Sequence, residues 1–160
     1  MIEFFTHSEK ETEKLGEKLG RLVEPGTIIL IKGGLGAGKT VFTRGIARGL
    51  GIEEPVTSPT FTLIHQYQGR LPLYHFDIYR IEDPDEMDDI GYEEFFYGDG
   101  VAVVEWPEKM EWLLPDEYLE IVIERVPLEN QDGRKISLTG KGAKYKKLEG
   151  ELTKNESAGS

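Results

Sequence analysis

The 160-residue chain contains no cysteine, and this absence excludes several kinds of chemistry. Without a thiol there is no disulfide, no cysteine nucleophile and no zinc–thiolate site. No run of eighteen or more apolar residues occurs, so the sequence predicts no membrane span. The opening segment MIEFFTHSEKE lacks the basic and apolar regions of a signal peptide. We therefore expect a cytoplasmic protein without a membrane partner.

Basic charge is also scarce, because 19 Lys and Arg residues face 30 Asp and Glu residues and the net charge is −11. A protein that grips nucleic acid directly usually presents a basic face. Acidic residues concentrate at 82–94 and lysines at 141–147. Either cluster is typical of a solvated surface, and the alternative is an electrostatic docking surface for a protein partner.

The stretch TIILIKGGLGAGKTVFTRGIAR, residues 27–48, has the pattern of a P-loop. Its apolar start predicts a buried strand, and apolar residues after the loop recur at helical spacing. Residues 33–40 between them satisfy G-x-x-x-x-G-K-[ST]. Such a loop binds nucleotide phosphates through backbone N–H groups and a helix N-terminus. Lys39 then faces the β- and γ-phosphates, and the Thr40 hydroxyl is a ligand for Mg²⁺.

The nucleotide base is indicated by an absence. The N-K-x-D signature of guanine-specific P-loop proteins does not occur, since neither Asn130 nor Asn155 precedes a lysine. By elimination, the sequence favours an adenine nucleotide.

Two carboxylates follow predicted strands. Glu105 ends the apolar run 100–105 in the manner of a Walker B strand, and a neighbouring parallel strand would bring it toward Thr40 and the metal ion. The alternative is a carboxylate that merely ends a strand. Asp77 ends the predicted strand 71–78 and either reaches the water or metal shell or caps the next turn. His75 alternates with Asp77 on one face of that strand, where a structural role is favoured over catalysis.

Other polar and aromatic residues have two possible roles each. Thr57, Ser58 and Thr60 lie on a proline-bounded loop that either senses the γ-phosphate as a switch or contains ordinary turn hydroxyls. Arg80 is a candidate for neutralising transition-state charge, although surface arginines are more often structural. Trp106 either packs in the core or anchors a partner.

Four motifs, in order and at matching intervals, resemble the TsaE family: GLGAGKT at 34–40, SPTF at 58–61, HFDIYR at 75–80 and EWPE at 105–108. The resemblance covers about two-thirds of the chain. It implies a bacterial P-loop ATPase that uses ATP and Mg²⁺ and acts with TsaB and TsaD when threonylcarbamoyl is transferred to adenosine 37 of tRNA. Hydrolysis would support turnover of the TsaB–TsaD complex, so that tRNA is only an indirect partner.

The resemblance also implies roles for individual residues. Lys39, Asp77 and Glu105 become catalytic, and Thr40 and Glu105 become the Mg²⁺ ligands. The switch or partner residues are Ser58, Thr60, Arg80 and Trp106. The residues that would bind the nucleotide are Gly34, Leu35, Gly36, Ala37, Gly38, Lys39, Thr40 and Val41, with Thr6 and Arg134 flanking the adenine.

We therefore predict a three-layer α/β fold with a mainly parallel sheet, helices on both faces and antiparallel hairpin additions. Residues 1–140 should form a single P-loop ATPase domain, with a hairpin turn at Gly133–Arg134. Residues 141–160 should form a polar, partly disordered tail. Two other functions remain open: a small-molecule kinase on the same phosphate scaffold, and a nucleotide-gated assembly subunit in which binding rather than hydrolysis matters.

Overall fold

A computed structural model describes residues 1–34, 36–57, 64–79, 81–83, 85–128 and 131–159. Within these ranges, seven strands form one sheet in the order β1-β7-β6-β2-β5-β4-β3. The strands are β1 (Ile2–Thr6), β2 (Ile28–Lys32), β3 (Ile64–Tyr67), β4 (Leu73–Asp77), β5 (Val101–Glu105), β6 (Tyr118–Leu128) and β7 (Gln131–Lys141).

The centre of the sheet is parallel and its edges are antiparallel. Strands β6, β2, β5 and β4 run in the same direction. At the edges, β7 is antiparallel to β6, β1 is antiparallel to β7, and β3 is antiparallel to β4. β2 and β5 are continuous apolar runs because both of their faces are covered by other elements. The prediction of a mainly parallel sheet with antiparallel additions is confirmed.

Helices cover both faces of the sheet and complete three layers. One hydrophobic core lies between the sheet and α1, α2 and α5, and a second lies beneath α3, α4 and a 3₁₀ helix. These elements are α1 (Glu9–Leu22), α2 (Lys39–Gly49), α3 (Asp85–Ile90), α4 (Tyr92–Phe96), α5 (Ala143–Gly159) and the 3₁₀ helix Pro107–Leu113. None of the helices in the described ranges is long and apolar enough to cross a membrane.

Glycines bring α1 and α2 into backbone contact. A Cβ atom on Gly16 would lie 2.4 Å from the Phe42 carbonyl oxygen, and one on Gly45 would lie 2.1 Å from the Glu13 carbonyl oxygen. These distances are shorter than any Cβ contact can be, so only glycine permits this approach. Because α2 begins at the P-loop, its packing on α1 sets the position of the loop over the sheet.

The C-terminal prediction is wrong in two respects. Residues 143–159 form α5, in which Tyr145, Leu148 and Leu152 are buried in the core rather than part of a frayed tail. Their i, i+3, i+7 spacing makes an apolar stripe, which is hard to recognise in the sequence because lysines surround it. The residues Gly133 and Arg134 lie inside β7, opposite Val126 and Arg125 of β6, and do not form the hairpin turn.

The tight contact between α1 and α2 can be tested by adding a single methyl group. We expect Gly45→Ala to lower the free energy of unfolding by about 1–3 kcal/mol, because overpacking against Glu13 outweighs the gain in helix propensity. Gly150→Ala in α5 is the matched control, since nothing lies within 4 Å of its added Cβ. Alanine there should raise stability by about 0.5–1 kcal/mol. Urea denaturation measures both values, and equal stability of the two variants would contradict the packing described here.

Candidate nucleotide site

The carboxyl ends of three parallel strands meet the N-terminus of α2 at one edge of the sheet. β5 lies between β2 and β4, and Glu105 is in register with Ile31 on one side and with Asp77 on the other. Open α/β sheets bind ligands at this kind of edge. The sequence separates Thr40, Asp77 and Glu105 by many residues, and this topology brings them to one place.

A cavity of about 320 Å³ opens at this edge, which we call the edge cavity. Its size falls within the range of small-molecule sites, about 300–1,000 Å³. The residues that line it are Glu9, Thr12, Gly36, Gly38, Lys39, Thr40, Val41, Asp77, Glu105, Trp106 and Arg134. Most of the predicted nucleotide, metal and catalytic residues thus border one space, and Glu9 and Thr12 are additions from α1.

The glycine loop has the backbone conformation that its sequence pattern requires. Gly36 and Gly38 have φ values of 76° and 110°, in a region that residues with a side chain rarely adopt. Gly38 is also the N-cap of α2, so the N–H groups of the first helical turn lie at the edge cavity. The partial positive charge of this helix terminus favours an anion.

Lys39 is buried within its own loop. Its Nζ donates to the carbonyl oxygens of Gly33 at 2.6 Å and Gly34 at 2.8 Å, and lies 4.1 Å from the centroid of the Trp106 ring. Burial lowers the pKa of Lys39, while the nearby carboxylates, Glu105 foremost, act to raise it. The ammonium group is therefore held between backbone oxygens and an aromatic face.

Glu105 makes a contact that the sequence did not predict. Its side chain is buried and accepts a hydrogen bond from Nε2 of His75, which is also fully buried. Among the described residues, nothing bonds to Nδ1 of His75. The structure therefore sets His75 directly behind a residue predicted to bind metal. The signal was present in the alternation that put His75 and Asp77 on one face of β4.

Asp77 lies at the edge cavity and also caps a turn. It lines the edge cavity beside Glu105, and its Oδ1 accepts the backbone N–H of Tyr79 at 3.1 Å, which caps the turn after β4. Burial raises the pKa of the Asp77 carboxyl group, with a further contribution from Glu105, while the Tyr79 hydrogen bond acts in the opposite direction.

Trp106 is held in an unusual backbone conformation immediately after Glu105. Its φ of 65° is the only positive value at a non-glycine residue in the described part of the chain. Such conformations are costly and persist where the surroundings impose them. The Trp106 ring contacts Tyr79, with 4.6 Å between ring centroids, as well as Lys39. The residue therefore forms part of the cavity wall.

The two residues predicted to flank the adenine differ in position. Arg134 lines the edge cavity, and its Nε donates to the Ala37 carbonyl oxygen at 2.6 Å, so that it fastens the P-loop to β7. Thr6 pairs with Arg134 across the β1–β7 ladder, but its buried hydroxyl bonds to Thr12 at 2.7 Å. It is Thr12 that borders the cavity.

Four predicted residues lie outside the described ranges: Leu35, Ser58, Thr60 and Arg80. Thr57, at the start of the predicted switch loop, is exposed, and its N–H donates to the Tyr67 hydroxyl at 3.4 Å.

The donor groups at the edge cavity fit a magnesium–nucleotide complex. Mg²⁺ prefers oxygen ligands and is commonly held by one or two protein groups together with substrate phosphates. The Thr40 hydroxyl and the Glu105 carboxylate both border the edge cavity and are oxygen donors of this kind. No group of three or more His, Asp or Glu side chains in the described ranges could hold a metal ion. Phosphate oxygens would therefore complete the coordination.

This strand–loop–helix unit, on a parallel sheet with the cavity at its carboxyl edge, defines a P-loop fold. Comparison with known proteins identifies the family. The family described as threonylcarbamoyl adenosine biosynthesis protein TsaE matches residues 6–136. The chain belongs to the TsaE family, which takes part in the biosynthesis of threonylcarbamoyladenosine in tRNA.

Individual relatives support the assignment over nearly the whole chain. The TsaE protein of Bacillus subtilis is 44% identical over 156 residues, which is 97% of this chain and 96% of the relative. That of Treponema pallidum is 48% identical over 111 residues, covering 69% and 82% of the two chains. The crystal structure of Bacillus subtilis YdiB superposes with a TM-score of 0.85 at 39% identity and covers 97% of this chain and 95% of its own.

The raised pKa of Asp77 predicts a pH dependence of stability. A carboxyl group whose pKa is higher in the folded than in the unfolded chain stabilises the fold below its ordinary value of 3.8, and this contribution is lost as the pH rises through the folded pKa. Asn keeps an oxygen for the Tyr79 N–H but cannot ionise. The stability of Asp77→Asn relative to the wild type should therefore be higher at neutral pH than below pH 3.8.

Urea denaturation across this pH range measures the difference. Asp83→Asn is the control, because the exposed Asp83 also accepts a backbone N–H two residues further on, from Asp85 at 2.9 Å. A stability difference for Asp77→Asn that stays constant with pH, or that favours the variant only in acid, would contradict this interpretation.

Proposed function

We propose that this protein is a Mg²⁺-dependent ATPase of the TsaE family whose ATP hydrolysis supports turnover of a TsaB–TsaD complex in tRNA threonylcarbamoyladenosine formation. The observation that carries the proposal is the convergence of Lys39, Thr40, Asp77 and Glu105 on one cavity beside the P-loop. These side chains are the groups that phosphate binding, metal binding and water orientation require.

The binding roles follow from position. The N–H groups of the glycine loop and of the α2 terminus contact phosphate oxygens, and the Lys39 ammonium neutralises their charge. Thr40 and Glu105 would hold Mg²⁺, and the bound ion would offset the charge that develops on the phosphates. Arg134 keeps the loop in shape through the carbonyl oxygen of Ala37.

Hydrolysis also needs an oriented water, and Asp77 is the residue that we assign to this task. It lies beside Glu105 at the cavity, and its oxygen is fixed by the Tyr79 N–H. Positioning rather than strong basicity is sufficient for a loose phosphoryl transition state.

Within the described part of the chain, Lys39 and Arg134 are the cationic side chains that line the edge cavity. Among the described arginines, only Arg134 lines the edge cavity, and its Nε and Nη2 already donate to the carbonyl oxygens of Ala37 and Gly36. An arginine supplied by a partner raises the rate of such reactions by about 10³–10⁵. We therefore expect weak hydrolysis by the isolated protein and stimulation by TsaB–TsaD. The net charge of −11 also suits a protein partner in the cytoplasm better than direct contact with tRNA.

The decisive measurement is phosphate release from Mg-ATP with and without purified TsaB–TsaD. Lys39→Ala should lower the stimulated rate by about 10²–10³ because a charge preorganised toward the phosphates is lost. Lys32→Ala is the matched control, since Lys32 lies at the end of β2 and pairs with Glu120 at 3.5 Å instead of lining the cavity.

Other outcomes would identify the alternative functions. Equal turnover with and without the partners would contradict the proposed dependence on TsaB–TsaD. Transfer of phosphate to a small acceptor, in place of release to water, would indicate a kinase. Full support of threonylcarbamoyladenosine formation by an Asp77→Asn variant that binds ATP without hydrolysing it would indicate a binding module.

A further inference from the structure

A buried histidine–glutamate pair lies directly beneath the edge cavity. His75 in β4 and Glu105 in β5 belong to adjacent parallel strands, and His75 is in register with Val103, two residues before Glu105. Residues two apart on a strand share a face, so His75, Asp77, Val103 and Glu105 lie on the same side of the sheet. His75 Nε2 donates its hydrogen to Oε2 of Glu105.

This contact gives the two oxygens of the Glu105 carboxylate different surroundings. Oε2 is occupied by His75, and Oε1 has no hydrogen bond to any described residue, although Glu105 borders the edge cavity. Without such a bond, the carboxylate would have no partner to fix its orientation, and its burial would cost more free energy. The histidine fixes the plane of the carboxylate and leaves one oxygen for a ligand.

Packing alone does not explain a histidine at this position. His75 is completely buried, and its Nδ1 is without a partner in the described structure. An unsatisfied buried polar atom destabilises a fold, whereas leucine or phenylalanine would fill the same space without one. The residue therefore has a use that offsets this cost, and its one hydrogen bond is to Glu105.

We infer that His75 is a positioning residue for the metal: it orients Glu105 so that Oε1 faces the Mg²⁺ that accompanies the nucleotide. The inference rests on the proposed metal site and adds to it a residue that does not touch the ion. Hydrogen bonds of this kind to metal ligands typically change metal affinity by about 10–100-fold.

The test compares three substitutions at His75 and uses Mn²⁺ as the probe. Gln places an N–H group near the position of Nε2. Asn also carries an N–H group, but its side chain is too short to reach Glu105. Leu has no N–H group in its side chain. Electron paramagnetic resonance measures the Mn²⁺ dissociation constant in the presence of saturating ADP. Calorimetry in EDTA measures ADP binding without metal. His65→Leu is the matched control, because His65 in β3 is half-buried, faces the Tyr67 hydroxyl at 3.1 Å and does not line the cavity.

We expect His75→Leu and His75→Asn to weaken Mn²⁺ binding by about 10–100-fold, with His75→Gln and His65→Leu close to the wild type. ADP binding in EDTA should be the same in all variants. Circular dichroism checks folding; if His75→Leu does not fold, the comparison of Gln with Asn decides. Wild-type Mn²⁺ affinity in His75→Asn would overturn the inference, and so would an equal loss of metal-free ADP binding in every His75 variant.

The result is separable from that of the proposed function. A wild-type protein that binds Mn²⁺ and ADP but releases no phosphate from ATP, even with TsaB–TsaD, would refute hydrolysis and leave the role of His75 supported. A wild-type protein that binds ADP without recruiting Mn²⁺ would overturn the inference while nucleotide binding stands.

Discussion

The parallel pairing of β5 with β2 and β4 is the constraint on which the site depends. It aligns Ile31, Glu105 and Asp77 across three strands, and backbone hydrogen bonds continue the alignment beyond the strand ends, from Ile78 to Glu105 at 3.3 Å and from Trp106 to Ile31 at 3.4 Å. A shift of β5 by one residue would turn Glu105 to the opposite face of the sheet. The P-loop follows β2 directly, so the same pairing brings the glycine loop to the edge of the sheet at which both carboxylates lie.

Much of the central fold could be predicted because its signals are local. The apolar runs of β2 and β5, the glycine loop and the helical spacing after Lys39 each lie within a short stretch of sequence. The C-terminal region was different. The buried hydroxyl of Tyr145 accepts the N–H of Ile28 at 2.9 Å, and Leu148 and Leu152 complete the core beside α1. Contacts between such distant parts of the chain cannot be read from the sequence, in which only the weak apolar stripe of α5 is visible. The order of the strands in the sheet has no sequence pattern at all.

The site divides in the same way. Motif spacing indicated Lys39, Thr40 and Glu105, and the structure brings all three to one cavity. Motif spacing could not show that His75 lies against Glu105, because that contact depends on the register of β4 with β5. The resemblance associated Arg134 with the nucleotide. In the structure Arg134 lines the edge cavity and donates to the carbonyl oxygens of Ala37 and Gly36 in the loop itself, contacts that depend on the position of β7 and not on any local pattern.

The contacts of Lys39 have a thermodynamic consequence for ligand binding. Its ammonium group donates to two carbonyl oxygens and lies over an aromatic ring. The phosphate binding that we propose would exchange these partners for new ones, and the affinity would be the difference between the new contacts and those given up. Trp106 leads directly from β5 into the 3₁₀ helix, so a phosphate that drew Lys39 away from the ring would couple the proposed site to that helix.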